Sequence, residues 1–289
     1  MQLSVIIVNW NVKGLVINCI RSIHEHKRDL SVEVIVVDNG SSDDSVEALR
    51  SQFPDITVMA MKSNLGFAKA NNRAIANAHG KYIFVLNPDT EIQADSLQKL
   101  VYYLDTHSDV ALVAPKLVNA EGKFQLGSVR RDPTLQALLM ILLKIQHVLP
   151  NARSLKRYYF VDFDPDKEQD VDQIMGAAMC FRRSTLDRHG LFDEKFFLWF
   201  EEVDLCRRLR QAGERIVYNP EAQVLHHGGL SFKQQLPLAK QRIYNKSVIH
   251  YFFKHHGIGA AAVLMLAMPI NIVLVSLYQL TKKHGFPIR

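Results

Sequence analysis

The chain has 289 residues, of which 48% are hydrophobic and 22% charged, enough apolar material for one large core and too much for a disordered segment. A net charge of +6 and a pI near 9.1 suit a nucleic acid, an anionic membrane or a phosphorylated ligand equally. Three widely separated cysteines, Cys19, Cys180 and Cys206, argue against a disulfide framework or a CxxC metal site and point to a reducing compartment.

The N-terminus, MQLSVIIVNW, lacks the basic region, long apolar core and cleavage site of a signal peptide, so the bulk of the chain is expected in the cytoplasm. Apolar runs recur at residues 3–8, 32–37, 56–61 and 82–86. Their continuous rather than alternating character marks strands buried on both faces, as in parallel sheets. Helical patterns over 13–27, 42–52 and 66–78 separate them. The order βαβαβαβ with right-handed crossovers predicts an open, doubly wound α/β sheet.

Ligands of such sheets sit beyond the carboxyl ends of the strands, where this sequence is polar. Asn9 and Asn11 follow Val8, Asp38 ends the second run, Asn64, Gly66 and Asn71 lie in NLGFAKANN, and Asn87 and Asp89 follow the fourth run. Turn formation explains any one of them, but the succession along one rim points to a ligand. Ser41, Ser42 and Asp43 read as helix caps. Neither GxGxxG nor GxxxxGK[ST] occurs, so phosphates need another device, typically a divalent cation held by a carboxylate and the phosphates themselves. Asp89, oriented by the fixed φ of Pro88, is expected to serve it.

Further on, YYFVDF reads as a strand leading to the acids Asp162 and Asp164, which read as a solvated loop. FFLWFEEVDLCRRLRQAG places Glu201, Glu202 and Asp204 at the start of a helix whose Val203, Leu205, Cys206 and Leu209 face the core. Acids in a first turn also complement the helix dipole. VLHHGGLS offers His226 and His227, GAAMCF brings the small Gly176, and Arg130 and Arg131 precede Pro133, either to meet an anion or as a solvated turn. The apolar stretch 134–149 is too short to span a bilayer and is expected as an interfacial or core helix. Residues 258–281 carry no charge and reach about 36 Å as a helix, against a hydrocarbon core of about 30 Å. They read as a membrane segment in which Pro269 and Asn271 allow a kinked span or a re-entrant hairpin. The basic, aromatic stretch before them is expected at an anionic headgroup surface.

SVIIVNWN, VIVVDNGSSD, NLGFAKANN, FVLNPDT, IMGAAMCFRRSTLDRHGLFDEKFFLWFEEVDLCRRLRQAG and VLHHGGLS, in that order over residues 3 to about 232, together resemble glycosyltransferase family 2 in its rhamnosyltransferase-like branch. The resemblance implies the GT-A fold over residues 1–235, with a nucleotide-sugar half (1–115) and an acceptor half (116–235), followed by membrane-associated helices over 236–289. It implies an inverting transfer, dependent on Mg2+ or Mn2+, from a dTDP- or UDP-linked sugar to a lipid-linked glycan during cell-surface polysaccharide synthesis, with no nucleic acid involved. L-rhamnose is the sugar the branch suggests, and the cytoplasmic face of the inner membrane the place.

By the same resemblance Val8, Asn9, Asn11, Asp38, Asn64, Gly66, Asn71 and Asn87 would bind the donor. Asp89 and His226 would hold the metal, with Asn87 standing where the family's DxD has its first acid. The family's HxxGxS pattern matches His226, Gly229 and Ser231. Glu202 occupies the position of the family's catalytic Asp and Glu201 is its alternate, while Arg130, Arg131, Gly176 and Trp199 would adjoin the acceptor. A sugar-nucleotide nucleotidyltransferase and a non-catalytic membrane-bound glycan-binding protein are the alternatives, and release of a nucleoside diphosphate distinguishes the transferase from both.

Overall fold

The alternating apolar and amphipathic segments produce β1 (Leu3–Asn9), α1 (Lys13–His26), β2 (Val32–Asp38), α2 (Ser45–Gln52), β3 (Thr57–Ala60), α3 (Phe67–Ile75) and β4 (Tyr82–Leu86). The computed structural model describes residues 1–228 and 237–283, so Gly229 and Ser231 lie outside the described residues. β1 and β4 are buried along their whole length, as their unbroken apolar runs require. The four strands pair in parallel in the order β3-β2-β1-β4. Register sets Asn9 opposite Asp38 and Ile7 opposite Leu86, which brings the carboxyl ends of β1, β2 and β4 to one rim.

The second half adds β5 (Thr90–Ile92), α4 (Ser96–Thr106), β6 (Val110–Val118), β7 (Val129–Arg130), α5 (Leu135–Leu142), α6 (Arg153–Tyr158), β8 (Gln169–Asp170) and β9 (Gln173–Ile174). It continues with β10 (Ala178–Arg182), α7 (Arg183–His189), α8 (Glu201–Gln211), β11 (Arg215–His226) and α9 (Pro237–Lys283). The main sheet runs β3-β2-β1-β4-β10-β6-β11-β5, with β8 on β11 and β7-β9 as a separate ribbon. β10 is antiparallel to both neighbours, β4 and β6, and β5 is antiparallel to β11. One apolar layer packs α1 and α4 against the sheet, and the opposite layer packs α3, α7 and α8.

Three expectations are corrected. YYFVDF is not a strand: Tyr158 ends α6, and Phe160 has φ 50° in the turns that follow. The stretch 134–149 is not one helix, because α5 stops at Leu142 and Lys144, at φ 60°, breaks the chain before a short 3-10 turn, Ile145–His147. The third correction concerns the C-terminal helix. Its bend is at Gly257, with φ 82° and ψ 175°, whereas Pro269 and Asn271 lie within the second arm. Asn245 Nδ2 donates to Asn271 Oδ1 at 3.0 Å, yet these residues would lie about 39 Å apart along an unbroken helix. The chain therefore doubles back into a hairpin.

Both arms belong to the folded body. Val248, Tyr251 and Phe252 share one helical face and are fully buried in a cluster with Phe196, Phe200 and Val203. The stretch expected at a headgroup surface is thus largely packed onto the domain. Leu264 of the second arm joins Leu138 and Leu142 of α5 in the same cluster, and Asn271 Nδ2 donates to the Leu142 carbonyl at 2.8 Å.

Asp204 fastens α8 to the first arm. Its side chain has no exposed surface and meets His255 Nε2 at 2.7 Å, Lys254 Nζ at 2.8 Å and Arg208 Nε at 2.9 Å. Burial alone raises a carboxyl's pKa, but the hydrogen bonds from His255, Lys254 and Arg208 outweigh it and hold Asp204 below its ordinary 3.8. A depressed carboxyl contributes stability above its unfolded pKa and loses it as pH falls toward the folded value. Asp204→Ala is expected to cost about 3 kcal/mol at neutral pH. Chemical denaturation of both proteins across pH should show this difference shrinking as pH drops below 3.8.

Candidate active site

The rim is completed from the far side of the sheet. β11 runs antiparallel to β5 with His226 opposite Thr90, which sets His226 beside Asp89. His226 Nε2 lies 3.4 Å from Asp89 Oδ1, and both side chains are almost wholly buried. His226 Nδ1 meets Gln125 Oε1 at 2.7 Å. An amide oxygen only accepts, so Nδ1–H donates to it, while the structure provides Nε2 with no hydrogen-bond partner. A ring nitrogen and a carboxylate oxygen facing one another are of the donor types that hold a divalent cation. Among the described residues no three His, Cys, Asp or Glu converge, so a cation held here would need further ligands from phosphate and water, as Mg2+ commonly does.

Beside this pair is a narrow cleft of about 60 Å³ lined by Val8, Trp10, Asn39, Asn64, Gly66, Phe67, Asn87, Pro88, Asp89, Phe197 and Leu198. Val8, Asn64, Gly66, Asn87 and Asp89 thus fall where the rim argument puts them. Asn9, Asn11, Asp38 and Asn71 do not line it. Asn9 Nδ2 donates to Asp38 Oδ2 at 2.8 Å, the Ser41 N–H donates to Asp38 Oδ1 at 2.9 Å, and the Ser42 N–H donates to Asn11 Oδ1 at 2.7 Å. These groups hold the β1 and β2 loops together. Asn71 turns back within α3 to donate to the Phe67 carbonyl at 2.9 Å. Nor do Ser41 and Ser42 cap α2, which begins after a left-handed Asp44; Ser41 Oγ accepts the Asn11 N–H, while Asp43 takes those of Lys13 and Ser45.

Gly66 decides how the cleft is covered. It sits at φ 83°, and a Cβ there would collide with the Phe197 carbonyl and come within 2.8 Å of its ring. The next residue, Phe67, donates its N–H to that carbonyl at 2.8 Å. The segment from Phe196 to Phe200 is so held over the cleft, at the cost of positive φ at Trp199 and Phe200, 65° and 71°, a strain of about 1–3 kcal/mol per residue.

Beyond Asn87, Phe67 and Leu198, which line both spaces, a cavity of about 480 Å³ extends to the C-terminal hairpin. Glu201, Glu202, Trp199, Gly176, Arg130 and His226 line it, as do Gln125, Ser128, Gln173 and Tyr244. Arg131 does not: it pairs with Asp172 at 3.4 Å and stacks on Phe160 at 3.7 Å. Asp162 and Asp164 are also absent from it, and Asp164 pairs with Lys167 at 3.0 Å on the surface.

Burial raises Glu201 well above the ordinary 4.5, and the neighbouring Glu202 raises it further. Burial also raises Glu202, but Arg130 opposes the shift. Both carboxyls are thus shifted upward, Glu201 the more, because Arg130 favours the charged form of Glu202. Buried polar atoms without a partner gather here: Glu201 Oε2, Glu202 Oε2, Ser128 Oγ, Arg130 Nε, Gln173 Oε1 and His226 Nε2. Native structures seldom leave such atoms orphaned, so this cavity is built for a polar ligand.

Residues 4–185 match the family described as glycosyl transferase family 2. The chain belongs to glycosyl transferase family 2. Its relatives place it in the rhamnosyltransferase-like branch: it is 28% identical over 237 residues to N-acetylglucosaminyl-diphospho-decaprenol L-rhamnosyltransferase of Mycobacterium tuberculosis, covering 78% of this chain and 76% of that one. It is also 29% identical over 171 residues to rhamnosyltransferase WbbL of Escherichia coli K12, covering 56% and 61%. The fold is GT-A. Mannosyltransferase PcManGT from Pyrobaculum calidifontis, solved with GDP-Man and Mn2+, superimposes with a TM-score of 0.58 at 18% identity, covering 99% of this chain and 76% of that one. GalNAc-T7, solved with UDP, GalNAc and Mn2+, gives 0.59 at 15% identity over 78% of this chain, which spans only 44% of that structure.

Sequence reasoning about this glycosyltransferase missed Trp10, Asn39, Gln125, Ser128, Gln173 and Tyr244. Trp10 and Asn39 sit next to named rim residues, so reading one position further would have found them. Tyr244 gave no signal, because the stretch that carries it reads as a headgroup-surface segment, whereas the first arm of α9 packs on Trp199 and Phe200 and brings Tyr244 to the cavity. Gly66→Ala is expected to push the Phe196–Phe200 segment off the cleft and weaken binding of a nucleoside diphosphate at least tenfold while leaving the far-ultraviolet circular dichroism spectrum unchanged, as titration calorimetry can show.

Proposed function

We propose that this glycosyltransferase inverts the anomeric centre as it moves a sugar, L-rhamnose by analogy with its relatives, from a dTDP- or UDP-linked donor to a lipid-linked glycan. The observation that carries the reading is the cavity in which Glu202 and five other buried groups await polar partners, adjoining the cleft that Asn87 and Asp89 share. The M. tuberculosis relative is named for a diphospho-decaprenol acceptor, which supports a lipid-linked partner here.

Donor diphosphate lies at the rim, and Asp89 and His226 would hold a Mg2+ or Mn2+ ion. When bound, the ion neutralises charge on the departing diphosphate. Glu202 accepts the proton of the acceptor hydroxyl as that oxygen attacks the anomeric carbon from the face opposite the diphosphate. Burial favours the neutral form of Glu201, which keeps a second negative charge away from the attacking oxygen, and Arg130 favours the ionised form of Glu202. Phe197, over the cleft, limits water's access to the donor. Trp199 and Gly176 adjoin the acceptor hydroxyl's approach.

The α9 hairpin attaches the enzyme to the cytoplasmic face of the inner membrane. Its helix is long and apolar enough to cross a bilayer by length and composition, but the second arm packs one face on α5. The opposite face leaves Leu266 78%, Val273 57% and Ile270 53% exposed. A helix apolar outside and docked inside suits lying in one leaflet better than crossing both.

The decisive assay is product analysis: a nucleoside diphosphate should appear with the transferred sugar, and release of pyrophosphate would instead mark a nucleotidyltransferase. Asp89→Ala should abolish metal-dependent binding of the nucleoside diphosphate, because Asn87 is neutral and cannot replace the lost charge; Mn2+-dependent affinity equal to wild type would refute the assignment. Glu202→Gln should bind donor normally yet turn over about two to four orders of magnitude more slowly. Because burial raises Glu202 above 4.5, the acid limb of kcat/KM in the wild type is expected above that value, with activity lost as pH falls through it.

A further inference from the structure

We propose that residues 143–161, the arm between α5 and the acidic loop, form a second membrane-binding element that seats on anionic lipid beside the α9 hairpin. The proposal rests on the membrane attachment argued above and adds a contact that the hairpin does not supply.

The arm's charge is one-sided. From Pro133 to Val161 there is no Asp or Glu, whereas Lys144, Arg153, Lys156 and Arg157 are basic, and the first acid is Asp162. Arg153, Lys156 and Arg157 are exposed. None of the four pairs with a carboxylate among the described residues, as the lack of Asp or Glu within the arm leads one to expect. The same arm exposes large apolar side chains: Val148 is 79% exposed, Val161 58% and Leu149 56%. Basic residues around projecting apolar tips are what an interfacial element requires, the tips entering the headgroup boundary and the cations meeting phosphate.

Position supports the same partner. Asn271 Nδ2 holds the Leu142 carbonyl, so the arm leaves α5 where the second arm of the hairpin docks, and that arm carries the exposed Ile270 and Val273 on its other face. Residues 237–281 likewise contain no acid. A second copy of the chain would bring like charge against like charge, whereas an anionic bilayer complements both elements. The arm also reaches the cavity, because Arg130 Nη1 donates to the Tyr158 hydroxyl at 3.2 Å. An acceptor with its lipid in the bilayer would then present its polar end to Glu202 without leaving the surface.

The three native cysteines are fully buried, with thiols raised by burial, Cys19 and Cys206 to about 12, so an introduced surface cysteine can be labelled selectively. The full-length protein carrying Val148→Cys, Leu266→Cys or Tyr102→Cys, each with an environment-sensitive fluorophore, is mixed with phosphatidylcholine vesicles with or without phosphatidylglycerol. On the mixed vesicles the proposal requires a blue shift and quenching by brominated lipid at 148 and 266 and neither at 102. A response at 266 with silence at 148 overturns the proposal and spares the hairpin attachment, while silence at both overturns the two together. A blue shift at 148 that appears with protein concentration alone means that a second copy covers the arm, which also overturns it. Lys156→Gln and Arg157→Gln should each lower partition onto the mixed vesicles about fivefold and leave partition onto pure phosphatidylcholine unchanged; equal partition of both variants and wild type on the mixed vesicles overturns the electrostatic part.

Discussion

Three carboxylates buried within the first four residues of α8 must each be neutralised, and the structure around them follows from how that is done. Asp204 is balanced by Arg208 of its own helix and by Lys254 and His255 of the hairpin. Glu202 has Arg130, and burial favours the neutral form of Glu201. An isolated buried charge costs several kcal/mol, so α8 cannot take this position unless α9 has docked and β7 has delivered Arg130. One short helix thereby couples the cavity's carboxylates on one side to the α9 hairpin on the other.

The loop before α8 shows the same dependence. Ser247 of the hairpin donates its hydroxyl to the Leu198 carbonyl at 2.8 Å, and the N–H of Phe67 takes the Phe197 carbonyl. Two residues at positive φ persist here because contacts on both sides over-determine them. Leu198 lines both the narrow cleft and the larger cavity, so the two spaces share a wall whose conformation is set from α3 and from α9 together.

Much of this was legible in the sequence wherever a local rule suffices. The run YIFVL became β4 residue for residue, because five apolar residues before Asn-Pro-Asp leave no other reading. Asn87 and Asp89 then had to stand at a strand tip. Legibility ended where direction or phase decides. β10 is short and apolar, and nothing in such a run says that it enters antiparallel. Asn64 and Asn71 look alike in composition, yet one sits in a loop facing the cleft and the other inside a helix. Arg130 and Arg131 are neighbours at the end of a two-residue strand, where successive side chains point to opposite faces, so one lines the cavity and the other stacks on Phe160. Gly257 reads as an ordinary helical glycine until a contact between Asn245 and Asn271 reveals the reversal.

That reversal also bears on the order in which the molecule can be completed. Chains fold progressively from the N-terminus as they are synthesised, and the β3-β2-β1-β4 unit draws only on residues made early. Leu138, Leu142 and Tyr251, however, share their cluster with Leu264, which is translated after Gly257. Until the second arm emerges and folds back, the nascent protein presents an uncovered apolar wall beside a cleft whose strands already exist. Burial of that wall is thus tied to the second arm of α9, the part of the described hairpin that is synthesised last.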